Sequence, residues 1–547
     1  MSPSPPPARR RKLNAWGFEG ESFPLPRPMR KWLEKHLGKA DRRRAVDPER
    51  IRLPEPRSLP DLPADVSVEP LDRLLHARGR GFSDLVRLRT GTLPALPDAI
   101  VRPADEEDVE VVLRVCSREG VLVIPFGGGT SVTGGVNTQP GLEPTIVLDL
   151  ERLSGLVKLD EQSGLAVFGA GTLGPRLEAA LAAHRLTLGH FPQSWELSTV
   201  GGWAATRSSG QESLGFGRIE EMVAGLEVVA PGGRLSLPAF PASAAGPDLR
   251  QLVMGSEGRF GVITEVTVRV RPRPAGRTVR AFLLPAWDAG LETVCRLALA
   301  EHPLNMLRLS DPAETRTALA IGLHGHLWAP LARGWLRLRG IGSEACLLLC
   351  GVAGKEKHSR WQLEGARRIA VRHGAVSLGE GPGRQWLADR FRHPYLRDGL
   401  LDLGFATDTL ETAACWSALP RVYQAVSGAL ASGLGGEGEE VPVLCHVSHV
   451  YRDGASLYFT FFFRCPRDPE EAIVRWAVLK RAASDAIVQS GGTISHHHGI
   501  GSWHAPWYPR EAGEAGVRAV AAVARELDPR GILNPGVLLD PADRLEV

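Results

Sequence analysis

The sequence predicts a protein of mixed helices and strands (α+β) in two main parts, a glycine-rich ligand-binding domain followed by a second domain. Three observations carry this. A helix and a strand lead directly into the glycine run "IPFGGGTSVTGG" (Ile124 to Gly135). Two more Gly/Ser/Thr turns follow in the same region, "PQSWELSTVGGWAATRSSG" (Pro192 to Gly210) and "GSEGRFGVI" (Gly255 to Ile263). Past Pro274 the regular patterning weakens until about residue 440, which marks a change of domain.

The elements follow in chain order. Residues 1 to about 70 are rich in Pro and Arg and read as an extended leader, with one short helical pattern from Met29 to Leu37. In "PADEEDVEVVLRVCSREG", Val109, Val112, Leu113 and Cys116 fall at helical spacing, acidic residues fill the first turn and Gly120 ends the helix. "VLVIPF" is a buried strand, and "TIVLDL", "LVKLD" and "LAVFGAG" are further strands. Pro175 opens a helix, "RLEAALAAHRL", at a position that favours proline. Val262 to Val270 is a long β run. The turn-rich "DPRGILNPGVLL" is expected to pack back on the first domain.

Composition excludes several classes. The chain has 547 residues, 43% hydrophobic and 23% charged, with net charge +3, too mild a balance for nucleic-acid binding. Seven scattered cysteines suit a reducing compartment rather than a disulfide scaffold. "CLLLC" (Cys346 to Cys350) lacks a second pair or a His partner, so packing is expected there rather than zinc. No stretch reaches the ~18 apolar residues of a membrane span. "MSPSPPPARRRK" has no apolar core for a secretory signal, and "DRLEV" is not a peroxisomal tripeptide. A soluble cytoplasmic protein is expected, at most peripheral to the inner face of the membrane. The basic clusters "ARRRK" (Ala8 to Lys12) and "DRRRA" (Asp41 to Ala45) read as a solvated arm or as a contact with anionic lipid or a partner.

The glycine loop is neither a Walker A loop, since no Gly-Lys-Ser/Thr follows, nor a Rossmann turn, since Val132 replaces the third glycine. Its N–H groups can form a nest for a pyrophosphate, aided by Thr130 and Ser131; the alternative is a plain glycine-rich turn. Three such turns in one region fit a long, multi-part ligand such as a dinucleotide.

Together these stretches resemble the FAD-binding domain of the vanillyl-alcohol-oxidase family, in which a two-part flavin domain lies under an α/β cap. "KLNAWGFEG", "STVGGWAATRSSG", "MGSEGRFGVITE", "LRLSD", "YLRDGLLDLG", "GASLYF", "SHHHGIG" and "GILNPG" extend the resemblance from about residue 12 to the end, and point to the ether-lipid-forming branch. Hydroxyacid-oxidising relatives carry a "GEHGIG"-like sequence in place of "SHHHGIG". The resemblance implies a leader over 1–70, an FAD-binding domain over 71–275, a cap over 276–490, and a C-terminal segment over 491–547 that carries the histidines. It implies non-covalent FAD, held by Pro125, Phe126, Gly127, Gly128, Gly129, Thr130 and Ser131 at the pyrophosphate. Gln193, Ser194, Trp195, Glu196, Leu197, Ser198 and Thr199 should add to the flavin site. So should Thr206, Arg207, Ser208 and Ser209, and Glu257, Gly258, Arg259, Phe260, Gly261, Val262 and Ile263.

Tyr458 matches the family's catalytic tyrosine, Arg397 a substrate-binding arginine and Arg308 an arginine needed for activity. The implied reaction exchanges the acyl chain of acyl-dihydroxyacetone phosphate for a long-chain fatty alcohol, through an adduct at flavin N5 and without net redox change. A homodimer is expected. "YFTFFF" (Tyr458 to Phe463) offers an apolar tunnel or a core strand. Gln193 stands where the family has aspartate, and His446 where its animal members have arginine. The rival readings are an FAD-linked oxidase or dehydrogenase of a 2-hydroxy acid, and a non-catalytic flavoprotein that binds lipid.

His496, His497 and His498 stand side by side. In an extended segment the first and third share one face and the second takes the other, so a single metal is not expected and none is assigned. A titratable cluster suited to proton relay and anion binding is expected instead.

Overall fold

Asp105 accepts a hydrogen bond from the N–H of Asp108 (3.0 Å) and so starts the expected helix, Glu106–Glu119. Gly120, at φ +73°, ends it. The computed structural model describes residues 10–39, 41–141, 143–322 and 329–539. The segments "MSPSPPP" and "DRLEV" lie outside the described residues, as do Ala8 and Arg9 of the first basic cluster.

Four strands form the first sheet: β1 (Asp65–Ser67), β2 (Ala99–Arg102), β3 (Leu122–Phe126) and β4 (Thr145–Asp149), in the order β1-β2-β4-β3. β4 is parallel to β2 and β3, and it is buried at every residue, as strands covered on both faces are. β3 delivers the chain into the glycine loop. An antiparallel sheet follows, built from β5 (Leu156–Asp160), β6 (Leu165–Gly169), β8 (Val223–Ala230), β9 (Gly233–Leu237) and β10 (Val262–Arg269), in the order β5-β6-β10-β8-β9. The helix with Pro175 in its first turn spans Gly174–Ala183 and ends sooner than expected. The chain turns there, because β7 (Leu186–Thr187) pairs with β11 (Arg271–Pro272).

The stretch past Pro274 is less irregular than its sequence implies. It forms a seven-stranded antiparallel sheet: β12 (Arg277–Leu284), β13 (Met306–Ser310), β14 (Cys346–Ala353), β15 (Val376–Gly379), β16 (Phe405–Cys415), β17 (Val443–Val450) and β18 (Gly454–Arg464), in the order β15-β12-β14-β13-β17-β18-β16. Much of its inner half is buried on both faces, so the hydrophobic period of two is blurred. Cys346 and Cys350 are buried in β14, and all seven cysteines are unpaired.

Two expectations for the leader need correction. The helical pattern forms the helix Arg27–Leu37, but residues 10–19 are not a free arm. Leu13, Ala15 and Trp16 are buried. In the second basic cluster Arg43 turns inward onto the carbonyls of Cys465 and Pro466. At the other end, the main chain of Val123 exchanges hydrogen bonds with Ile532 O (2.9 Å) and Asn534 N (2.8 Å), which adds the C-terminal stretch beside β3. Among the described residues, no helix is long and apolar enough to cross a membrane.

Candidate active site

A single cavity of about 520 Å³ runs between the two glycine-turn sheets and the large sheet. Strand alternation decides what faces it. On β18, Leu457, Phe459, Phe461 and Phe463 enter the core, while Tyr458, Thr460 and Phe462 line the cavity. On β17 the lining residues are Leu444, His446 and Ser448, joined by His449 where the pairing with β18 shifts register; on β16, Thr407 and Thr409; on β13, Met306 and Arg308. Register then sets His446 and Glu411 opposite Tyr458, one on each neighbouring strand. The aromatic run is therefore both core strand and tunnel wall.

Pro125 to Ser131 all line the opposite wall, with Gln193, Ser194, Ser198, Thr199, Thr206, Ser208, Ser209, Glu257, Gly258, Gly261 and Ile263. The glycine loop sits flush against the second turn. A Cβ on Gly127 would lie 2.4 Å from Thr199 Oγ1, and one on Gly128 2.2 Å from the carbonyl oxygen of Leu197. Only glycine permits this approach, and the bare backbone it leaves along the wall fits a pyrophosphate.

Seven predicted cofactor residues lie outside the cavity wall. Trp195 stacks on Phe391 (5.4 Å between centroids), Glu196 accepts from the Tyr395 hydroxyl, and Leu197 is core. Arg207 caps the helix Val200–Thr206 and donates to Gln251, Arg259 donates to Leu533 O (2.6 Å), and Phe260 and Val262 are buried in the interior. Each belongs to a turn whose neighbours face the cavity. Gln193 uses both ends of its amide, donating to Arg390 O (2.5 Å) and accepting from Gln211 (2.8 Å), a pair of contacts that an aspartate cannot make.

The three histidines depart from the extended geometry expected of them. Gly499 and Gly501 have φ +83° and +57°, and the chain bends so that all three imidazoles surround Glu411. Glu411 Oε1 accepts the main-chain N–H groups of His497 and of His498 (3.0 Å); Oε2 meets His496 Nδ1 (3.1 Å) and His497 Nδ1. Burial opposes the Glu411 carboxylate, but His497, His498 and His496 overcome it and hold the group well below its usual pKa. His496 lies behind the wall, its Nε2 2.6 Å from the Tyr451 hydroxyl, and burial lowers its pKa to about 4. His497 and His498 line the cavity. Ring nitrogens of His449, His496 and His497 lie within 4.8 Å of one another, as do the donor atoms of Glu411, His497 and His498, so the steric objection to a shared metal falls.

The C-terminal glycines have a second partner. Glu257, with φ +51°, accepts from the N–H of Ile500 (2.6 Å) and of Gly501 (2.9 Å), and burial raises its pKa to about 7. A Cβ on Gly499 would sit 2.8 Å from this carboxylate.

Tyr458 stacks on His446 (5.1 Å), and burial raises its pKa against the pull of Thr409 and Arg397. Arg397 reaches Asp408 (3.1 Å) and Thr409 (3.2 Å). Arg308 donates to Glu314 (2.5 Å) and approaches His446 Nδ1 (3.1 Å). Glu314 stays ionised, at about 2: burial opposes this, and Arg308 and His446 outweigh it. An arginine at 446 would set two guanidiniums against this one carboxylate. The far end of the cavity is apolar, walled by Leu25, Met29, Leu400, Leu444 and Phe462.

Two family models match the chain: the FAD binding domain over residues 97–236 and the C-terminal domain of FAD linked oxidases over residues 273–538. The alkyldihydroxyacetonephosphate synthase of Trypanosoma brucei brucei is 33% identical over 483 residues, 85% of this chain and 77% of that one. The Dictyostelium discoideum enzyme of the same name is 30% identical over 545 residues, 95% of this chain and 89% of its own. The chain belongs to the alkyldihydroxyacetonephosphate synthase family. A solved structure of a family member superposes with a TM-score of 0.82 at 27% identity, covering 96% of this chain and 98% of that one. The fold is that of the vanillyl-alcohol-oxidase class, and FAD is its cofactor.

Glu411, His449 and Tyr451 escaped sequence reasoning. Glu411 is one carboxylate in the ordinary strand "TLETAAC", and only its pairing with β18 reveals it. His449 stood in plain view in "CHVSHVY", but its meeting with a segment 47 positions on is long-range.

Proposed function

We propose that the protein forms the ether bond of an alkyl lipid, exchanging the acyl chain of acyl-dihydroxyacetone phosphate for a long-chain fatty alcohol. One observation carries this reading: a single cavity joins the glycine-loop wall, a polar cluster around Tyr458, and an apolar end. Bound FAD, its pyrophosphate on residues 125–131, supplies a nucleophilic ring nitrogen and lets the exchange proceed without net oxidation.

The chain's own residues divide the remaining work. Tyr458, kept protonated by burial, is the group that exchanges a proton at C1 of the substrate. His497 and His498 stand beside it, 6.4 and 5.9 Å from its ring centroid, and receive and return protons while Glu411 fixes their orientation. Arg397 and Lys480 share the carboxylate of Asp408, at 3.1 and 3.8 Å, which leaves this end electropositive toward a phosphate. Arg308 supplies the second cation. The apolar end receives the alkyl chain and excludes water. A peripheral membrane contact is supported by Leu331, Trp335 and Leu338, exposed at helical spacing on Ala329–Leu338 with the Arg339 guanidinium over Trp335 (5.2 Å).

The test is incubation of the FAD-loaded protein with acyl-dihydroxyacetone phosphate and labelled hexadecanol. Labelled ether product and released fatty acid are expected. No labelled product, together with bleaching of the flavin by a D-2-hydroxy acid, would sink the proposal in favour of a dehydrogenase.

A further inference from the structure

The basic leader cluster is not absorbed by the chemistry above, and part of it is not solvated. Residues 10–19 fold into a closed loop: Lys12 N–H donates to Gly17 O (3.0 Å) and Glu19 N–H to Arg10 O (2.9 Å). This loop is seated on both halves of the molecule. Trp16 N–H reaches Asp398 (3.3 Å), and Gly17, at φ +91°, lies so close to Tyr395 that a Cβ would come within 2.5 Å of its ring. From this platform the Arg11 guanidinium donates to the carbonyl of Gly128, in the middle of the glycine loop. A second arginine works from the same side. The main-chain N–H of Arg80 donates to Ser131 O (2.7 Å), and its buried guanidinium holds Lys12 O (3.3 Å) and Gly79 O (2.9 Å).

Neither guanidinium lines the cavity. The Arg11 guanidinium approaches the loop from behind, on its carbonyl side, while the Arg80 guanidinium braces the leader segment that carries Arg11. A carbonyl pinned backward leaves the peptide N–H groups free to face forward, which is what an anion nest requires. Charge points the same way. Among the described residues neither Arg11 nor Arg80 makes an ion pair. The carboxylates nearest in effect to Arg11 are already matched, Asp149 by His76 (3.0 Å) and Glu151 by Arg102 (2.8 Å). Arg11, half-buried and bonded to the loop itself, is thus a cation without a carboxylate partner behind the glycine nest, and it complements an anionic ligand there.

We propose that residues 10–19 are a cofactor clamp, in which Arg11 holds the glycine loop in its pyrophosphate-binding form and slows the release of FAD. This rests on the reading that the loop holds the pyrophosphate.

The experiment measures release of FAD after rapid dilution of the loaded, full-length protein, by the rise of free-flavin fluorescence. R11A is expected to release FAD roughly tenfold faster, the size of one lost charge-assisted hydrogen bond. R10A, whose side chain is exposed, is expected to match the parent protein. In the unsubstituted protein, amide hydrogen exchange at Lys12 and Glu19 should be at least fivefold slower with FAD than without it. The clamp is overturned by R11A release within threefold of the parent or, should R11A not fold, by exchange at Lys12 and Glu19 that FAD leaves unchanged. Gly128→Ala is the separate arm for the loop: full FAD binding by that variant overturns the pyrophosphate reading itself.

Discussion

Replacing Glu411 with glutamine tests the centre of the site, because the change removes a charge while keeping the shape. The native carboxylate, 1% exposed, serves four groups: two main-chain N–H donors on Oε1 and two imidazole nitrogens on Oε2. Glutamine keeps one acceptor oxygen for the main-chain pair. Its amide group then points two hydrogens at His496 Nδ1 and His497 Nδ1, so both rings must change tautomer or turn away. Losing two charge-assisted hydrogen bonds in a buried setting costs about 3–5 kcal/mol. The pH dependence has a definite sign. A carboxyl depressed in the folded state contributes stability above its unfolded value of about 4.3 and loses it as pH falls through the folded value. The deficit of E411Q should therefore be full at pH 7 and shrink below about pH 4. Denaturant midpoints of the two FAD-loaded proteins, measured at several pH values, provide the assay. A deficit under about 1 kcal/mol at pH 7, or one that grows on acidification, refutes the assignment of Glu411 as the anionic hub.

Three further outcomes are expected. Tyr458→Phe should retain FAD and its thermal midpoint but lose about 10²–10⁴-fold in ether formation, checked by product assay on the flavin-loaded variant. Gly128→Ala should purify with little flavin, since its Cβ meets the Leu197 carbonyl at 2.2 Å; the absorbance ratio of flavin to protein reads this directly. His76 lies between Asp72 (3.2 Å) and Asp149 (3.0 Å); burial lowers its pKa, but the two carboxylates prevail and raise it to about 9. A raised pKa gives stability that is complete below about 6.5 and disappears as pH rises through 9, so the stability gap between the parent and His76→Gln should close between pH 6.5 and 10.

Much of the first half was legible because local chemistry governs it. The cap at Asp105, the stop at Gly120 and the run into Gly127–Gly129 are short-range features. The large sheet was harder to read, since strands buried on both faces lose the alternation that identifies them. At the site, Arg308, Arg397, Tyr458 and the histidines were found through motifs, and they share one cavity or its immediate backing. The shape of the histidine cluster was not legible. An extended segment was assumed, whereas two left-handed glycines and a carboxylate 86 positions upstream of His497 curl it inward. Trp195 and Arg259 show the converse limit: a motif marks a turn, but only packing decides which of its side chains face the ligand.

The alternation along β18 has one more consequence. Odd-numbered residues from Leu457 to Phe463 build the interior, while Tyr458, Thr460 and Phe462 border the ligand space. Exchanges at 460 and 462 can therefore retune the width and depth of the bore, and with them the alcohol chain accommodated, while the protein's frame stays intact. Inserting or deleting one residue before 458 would do the opposite. It would swap the two faces, turning the tyrosine into the hydrophobic interior and core side chains such as Leu457 and Phe459 toward the ligand space. Variation in this strand is thus confined to substitution at alternate places, and its length is fixed.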